Sequence, residues 1–147
     1  MRIPHNFIAL AFVLLFAACG KEEAPMQSEN ESTEPENPLL VDSGLPYGAP
    51  AFDMIKNEHF SPALENGMAE QAAEIELIAS NPESATFENT IEAMEKTGQT
   101  LGRSRRIFGA LISAHTNAAL DDINTEMSPK FAAHRDSILL NADLYAR

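Results

Sequence analysis

Apolar residues are distributed along this chain in three ways. From Phe7 to Phe16 they run without a break (FIALAFVLLF). Between Lys21 and Asn37 they nearly vanish, Met26 being the one sizeable apolar side chain in KEEAPMQSENESTEPEN. From about Ser61 onward they recur every three or four residues, the spacing that gathers side chains on one face of an α-helix.

The periodic part predicts a series of helices. Ser61-Pro62 reads as an N-cap followed by proline at the first helical position, and Leu64, Met68, Ala72, Ile75 and Ile78 continue as a stripe. Asn81-Pro82 ends it, because a residue before proline is pushed out of the helical region. Thr86 is placed to cap a second helix carrying Phe87, Ile91 and Met94 along one side. Gly98 and Gly102 weaken the middle of the pattern. Leu101, Ile107, Phe108, Leu111 and Ile112 thus belong either to one long kinked helix or to a separate one reaching His115. Thr116 or Asn117 caps the next helix, with Leu120, Ile123 and Met127 inward. Ser128-Pro129 repeats the cap-plus-proline signature ahead of Phe131, Ile138 and Leu139. Residues 37–57 hold prolines at 38, 46 and 50 and glycines at 44 and 48, and so read as an irregular lead-in. No strand-like alternation is present, and the expected class is all-α. Leu144 to Arg147 (LYAR) begins one more periodic stretch with no glycine or polar tail after it. Helices with apolar stripes need partners, so the expectation is that the helical region is incomplete.

The first apolar run has a different meaning. Ten residues are too few to cross a bilayer as a helix, which takes about 20. Arg2 before the run and Ala17-Ala18 after it fit a cleaved signal peptide, residues 1–18. Cys19 comes at once and is the only cysteine, so no intramolecular disulfide is available to an exported chain. The Ala17-Ala18-Cys19 arrangement resembles the lipobox of bacterial lipoproteins, which implies that Cys19 is acylated and anchors the mature protein to a membrane. Each buried methylene of such an anchor contributes about 0.8 kcal/mol. Gly20 and Lys21 place no aspartate after the cysteine. By resemblance to the Gram-negative sorting rule, that implies the outer membrane, with the protein facing the periplasm. Residues 19–36 then form an acidic tether too poor in apolar surface to fold, and residues 37–147 form the helical domain.

Charge and motif content exclude several functions. A formal charge of −12 opposes nucleic-acid binding, because nothing offsets phosphate repulsion. His59, His115 and His134 are widely spaced and no His-Glu-x-x-His occurs, so no metal site is expected in this chain. His115 reads instead as a residue complementing a helix C-terminus. His134-Arg135-Asp136 spells a kinase tripeptide without any other kinase element. Glu70 with Glu74, Glu88 with Glu92 and Glu95, and Asp121 with Asp122 read as solvated helix faces. Arg103, Arg105 and Arg106 form the one basic cluster. Arg103 and Arg106 share a face that suits either an anionic group, such as a peptide carboxylate, or nearby glutamates. No serine, cysteine or threonine sits in a nucleophile motif, and no catalytic residue is assigned.

One resemblance covers most of the domain. Residues 45–103, with PAFDMIKNEHF and TFENTIEAMEK at their centre, are similar to the N-terminal part of bacterial peptidyl-dipeptidases, zinc metallopeptidases of the thimet oligopeptidase family. SAHTN (113–117), KFAAH (130–134) and LLNADLYAR (139–147) continue the likeness. The resemblance implies a bilobed helical peptidase with a deep channel that admits short peptides. In such an enzyme zinc is held by His-Glu-x-x-His and a later glutamate, none of which maps onto this sequence. It implies that this chain contributes antiparallel helices of one channel wall, cleaves nothing by itself and binds no zinc. The alternative is a short non-enzymatic lipoprotein that uses the same helices as a docking module.

Overall fold

Lys56 is where the chain turns from extended to helical. Its own backbone is extended (φ −112°, ψ 160°), and the 3-10 turn Asn57–His59 feeds directly into α1, Phe60–Ala79. The Lys56 N–H donates to His59 Nδ1 at 3.1 Å. The helical path therefore begins several residues before Ser61, which is not its cap. Pro62 still falls in the first turn of α1, where the missing N–H has no helical partner to lose. The computed structural model describes residues 36–147. The signal-like run, Cys19 and the acidic segment as far as residue 35 lie outside the described residues.

The regular elements among the described residues are α-, π- and 3-10 helices, and no strand occurs among them. α1 buries Phe60, Ala63, Leu64, Gly67, Ile75 and Ile78. Ala72, expected on that stripe, is exposed. Gln71 and Glu74 are half-buried in its place and bond to the turn before the next long helix.

Thr86 caps as expected: its Oγ1 accepts from the Asn89 N–H (3.1 Å) and its own N–H donates to Asn89 Oδ1 (2.8 Å). The capped element is a π-helical turn, Phe87–Glu92, which runs on into the short α2, Ala93–Glu95. A π turn closes i to i+5, so the 3.6-residue rhythm slips there. Thr90 becomes the buried residue, while Phe87 and Ile91, expected inward, are 66% and 48% exposed.

Gly98 decides between one kinked helix and two. It sits at φ +68°, a left-handed conformation that ends a helix and that glycine adopts without cost from a Cβ. α3, Gln99–His115, starts on its far side and buries Leu101, Ser104, Ile107 and Phe108. Asn117 then accepts from the Leu120 N–H at 3.1 Å and starts α4, Ala118–Leu139, which buries Leu120 and Met127. Ser128-Pro129 starts nothing, because Pro129 lies inside α4. Ser128 Oγ donates to the Asn124 carbonyl (2.6 Å) instead of capping. A proline costs one backbone hydrogen bond. α4 is already nucleated at Asn117, however, and is held by Leu120 and Met127 before the proline and half-buried Phe131 after it. Asn141 caps α5, Ala142–Ala146, through the N–H groups of Asp143 and Leu144.

Cross-helix contacts fix the directions. Gly67 meets Leu101, while Gln71 and Glu74 meet Gly98, so α3 runs opposite to α1. Lys130 pairs with Glu65 and His134 with Gln71, so α4 returns in the direction of α1. One buried cluster joins Leu39 of the lead-in to Phe60, Leu64, Leu101, Phe108, Leu120 and Met127. Within it the Phe60 and Phe108 rings meet at a tilt of 53°, their centroids 5.1 Å apart. A smaller cluster gathers Ile75, Ile78 and Leu144.

Candidate functional site

Most of the groups singled out in the sequence have structural partners. Arg103 is half-buried and Arg106 exposed on α3. The Arg103 guanidinium donates to Asp42 Oδ1 (2.6 Å) and to the Leu39 carbonyl (3.1 Å), so it ties the lead-in to α3. The glutamates expected to pair with it are elsewhere. Glu74 accepts from the Gly98 N–H at 2.7 Å, Glu70 from Asn66, and Glu92 from Lys96. Asp121 accepts from Thr116 Oγ1 at 2.7 Å.

The histidines are likewise dispersed. His59 accepts from the Lys56 N–H at the start of α1. His115 is the last residue of α3 and exposed, the position expected of it. His134 Nε2 lies 2.8 Å from Gln71 Oε1, and Gln71 Nε2 in turn donates to Thr97 Oγ1 at 3.3 Å. With Gln71 oriented so, His134 carries its proton on Nε2. Burial, and secondarily the charge of Arg105, hold its pKa below the usual histidine value. Among the described residues no three His, Cys, Asp or Glu side chains converge as metal ligands, and no helix is long and apolar enough to cross a membrane.

Two grooves remain. One, of about 430 Å³, lies between the Phe87–Glu92 turn and the end of α4 with α5. Its walls include the exposed side chains Phe87, Ile91, Leu139 and Tyr145. Arg147 closes one end: its guanidinium donates to the carbonyl of Glu83 (3.1 Å) and to Asn89 Oδ1 (3.1 Å), and also bonds the Asn81 carbonyl. The second groove, about 570 Å³, lies between α3 and α4 and is lined by Arg105, Phe131, His134 and Arg135 among others. Neither groove is visible in the sequence pattern, because periodicity marks Phe87, Ile91 and Leu139 as core.

Comparison with known proteins gives these helices relatives. No family model matches the chain. The dipeptidyl carboxypeptidase of Escherichia coli (strain K12) is 45% identical over 111 residues, covering 76% of this chain and 16% of that protein. The dipeptidyl carboxypeptidase of Salmonella typhimurium (strain LT2) is 42% identical over 111 residues, with the same shares. The chain thus spans about a sixth of the length of these relatives. Along these 111 residues, the chain is a homologue of proteins named dipeptidyl carboxypeptidase.

Proposed function

We propose that these helices form part of the substrate-channel wall of a zinc-dependent peptidase that releases dipeptides from short peptides. The chain itself contributes no catalytic group. The observation carrying this reading is the 45% identity to a dipeptidyl carboxypeptidase across 76% of the chain. Helices packed around two buried clusters suit a wall that narrows a channel and turns folded proteins away. The apolar groove beside Phe87 and Tyr145 supports the reading too, since a contiguous apolar surface of this kind marks a place where further protein packs. The zinc would supply a polarised water at neutral pH, and its ligands would come from residues that this chain does not contain. Acylation of Cys19 would hold the assembly at the outer membrane, facing peptides in the periplasm.

A non-enzymatic docking module is the second reading. It is favoured by one observation: the described helices close two buried clusters and cap their own starts at Thr86, Asn117 and Asn141. One experiment tests the absence of catalysis that both readings share, and a second separates them. The purified chain, incubated with a blocked tetrapeptide with and without zinc, is expected to release no dipeptide; chelator-sensitive release overturns the non-catalytic assignment. The coding DNA beyond codon 147, read in all frames, is expected to encode His-Glu-x-x-His. Its absence favours the docking module.

A further inference from the structure

The groove between α3 and α4 differs in charge from the chain around it. The formal charge of the protein is −12, yet no aspartate or glutamate lines this groove, whereas Arg105, His134 and Arg135 do. Arg105 is already ordered: its guanidinium carbon sits 4.4 Å from the centre of the Phe131 ring, a cation–π contact that holds the side chain without neutralising it. Among the described residues no carboxylate pairs with it within the 4.0 Å of an ion pair. Arg135 reaches only its neighbour Asp136, at 3.6 Å with both side chains largely exposed, a contact worth little. Burial, and after it the charge of Arg105, holds the His134 pKa below the usual histidine value. Beside these cations Phe131 is half-buried and Leu139 is 67% exposed, so the groove also has an apolar lip.

The geometry points to a binding site for an acidic peptide segment, its carboxylates on Arg105 and Arg135 and an apolar side chain against Phe131 and Leu139. Guanidinium groups match carboxylates with paired, charge-assisted hydrogen bonds. On a net-negative protein the remaining surface repels the same peptide, which confines it to this groove. A polyphosphate chain fits less well, because its many charges meet that repulsion along its whole length. Binding of this kind needs the groove alone, whether or not the chain serves a peptidase.

The test uses the full chain and a fluorescein-labelled peptide of alternating glutamate and leucine, beside the same peptide with glutamine for glutamate. Anisotropy titrations at low salt are expected to show the glutamate peptide binding at least about tenfold more tightly, with the advantage shrinking as salt rises. Arg135→Gln, at an exposed position that leaves the fold intact by circular dichroism, is expected to remove most of that advantage. Arg135→Glu should shift the preference toward a lysine-for-glutamate peptide. Equal binding of the two peptides, a preference untouched by Arg135→Gln, or no saturable binding by the native chain overturns the inference.

Discussion

Gly67 of α1 lies so close to Leu101 of α3 that a Cβ on it would stand 2.7 Å from the Leu101 Cα and backbone nitrogen. Those are backbone atoms, and they cannot swing aside. Gly67→Ala would ordinarily stabilise a helix by about 1 kcal/mol. Here the overlap forces α1 and α3 apart, at a cost of about 1–3 kcal/mol, and the clash wins. Gly109 is the control: it lies in the same α3 with nothing within 4 Å of its would-be Cβ. Urea unfolding is expected to show Gly67→Ala less stable and Gly109→Ala more stable, the latter by about 0.5–1 kcal/mol.

Arg147 is the only tie, among the described side-chain hydrogen bonds, between the C-terminal end of α5 and the loop at residues 81–89. Hydrogen bonds with a charged partner contribute about 1.5–3 kcal/mol. Arg147→Ala is expected to cost about 2 kcal/mol in stability and to raise amide exchange in the 81–89 loop and α5. Exchange confined to the Leu39–Phe60–Met127 cluster would contradict this, because that cluster lies apart from Leu144.

His134 sets a pH dependence whose sign comes from its environment. Burial and Arg105 hold its folded pKa below 6.5, so the unfolded chain takes up the proton first. Its stabilising contribution is fully present above pH 6.5 and is lost as pH falls through the folded pKa. Urea midpoints for the native chain should therefore fall more steeply below pH 6.5 than those of His134→Gln. An NMR titration placing the His134 midpoint at or above the usual value would remove the basis for the difference.

Cys19 lies outside the described residues, and its role rests on the sequence. Cells expressing the full chain and fed a labelled fatty acid should label it, and Cys19→Ser should abolish the label and move the protein from the membrane to the soluble fraction. Several acyl chains give near-permanent anchoring, so partial release would point to ordinary cleavage instead.

The helical class was readable from the sequence because its signals are local. Thr86 and Asn117 carry side-chain oxygens at the right offset from a free N–H, and each caps as its type suggests. The errors share one cause, the ability of packing to override a local signal. Pro129 reads as a start but is carried inside α4, because Leu120 and Met127 bury the helix that leads into it. Ala72 fits the stripe, yet Gln71 and Glu74 win the inner face by bonding around Gly98. The basic groove was invisible because α3 and α4 bring Arg105 and Arg135 together across 30 residues of chain. Arg103 and Arg106 lie one helical turn apart in the sequence, and the fold commits Arg103 to the lead-in through Asp42 and Leu39.

Phe87 tests whether an apolar stripe marks a core within this chain or a face for something outside it. Phe108 and Phe87 are the same residue type, and both fit the helical rhythm. Phe108 is 4% exposed and packed against Phe60, whereas Phe87 is 66% exposed on the apolar groove. Phe108→Ala opens a cavity in the main cluster and is expected to cost about 3–5 kcal/mol. Phe87→Gln removes little buried surface and should change the stability of this chain by less than about 0.5 kcal/mol. Binding of a hydrophobic dye should drop with Phe87→Gln, because Phe87 walls the groove where such a dye would sit. If Phe87→Gln unfolds the chain as readily as Phe108→Ala, the groove is closed in solution and the exposed face is part of the core. If it leaves stability unchanged and lowers dye binding, the face is a surface kept for a partner.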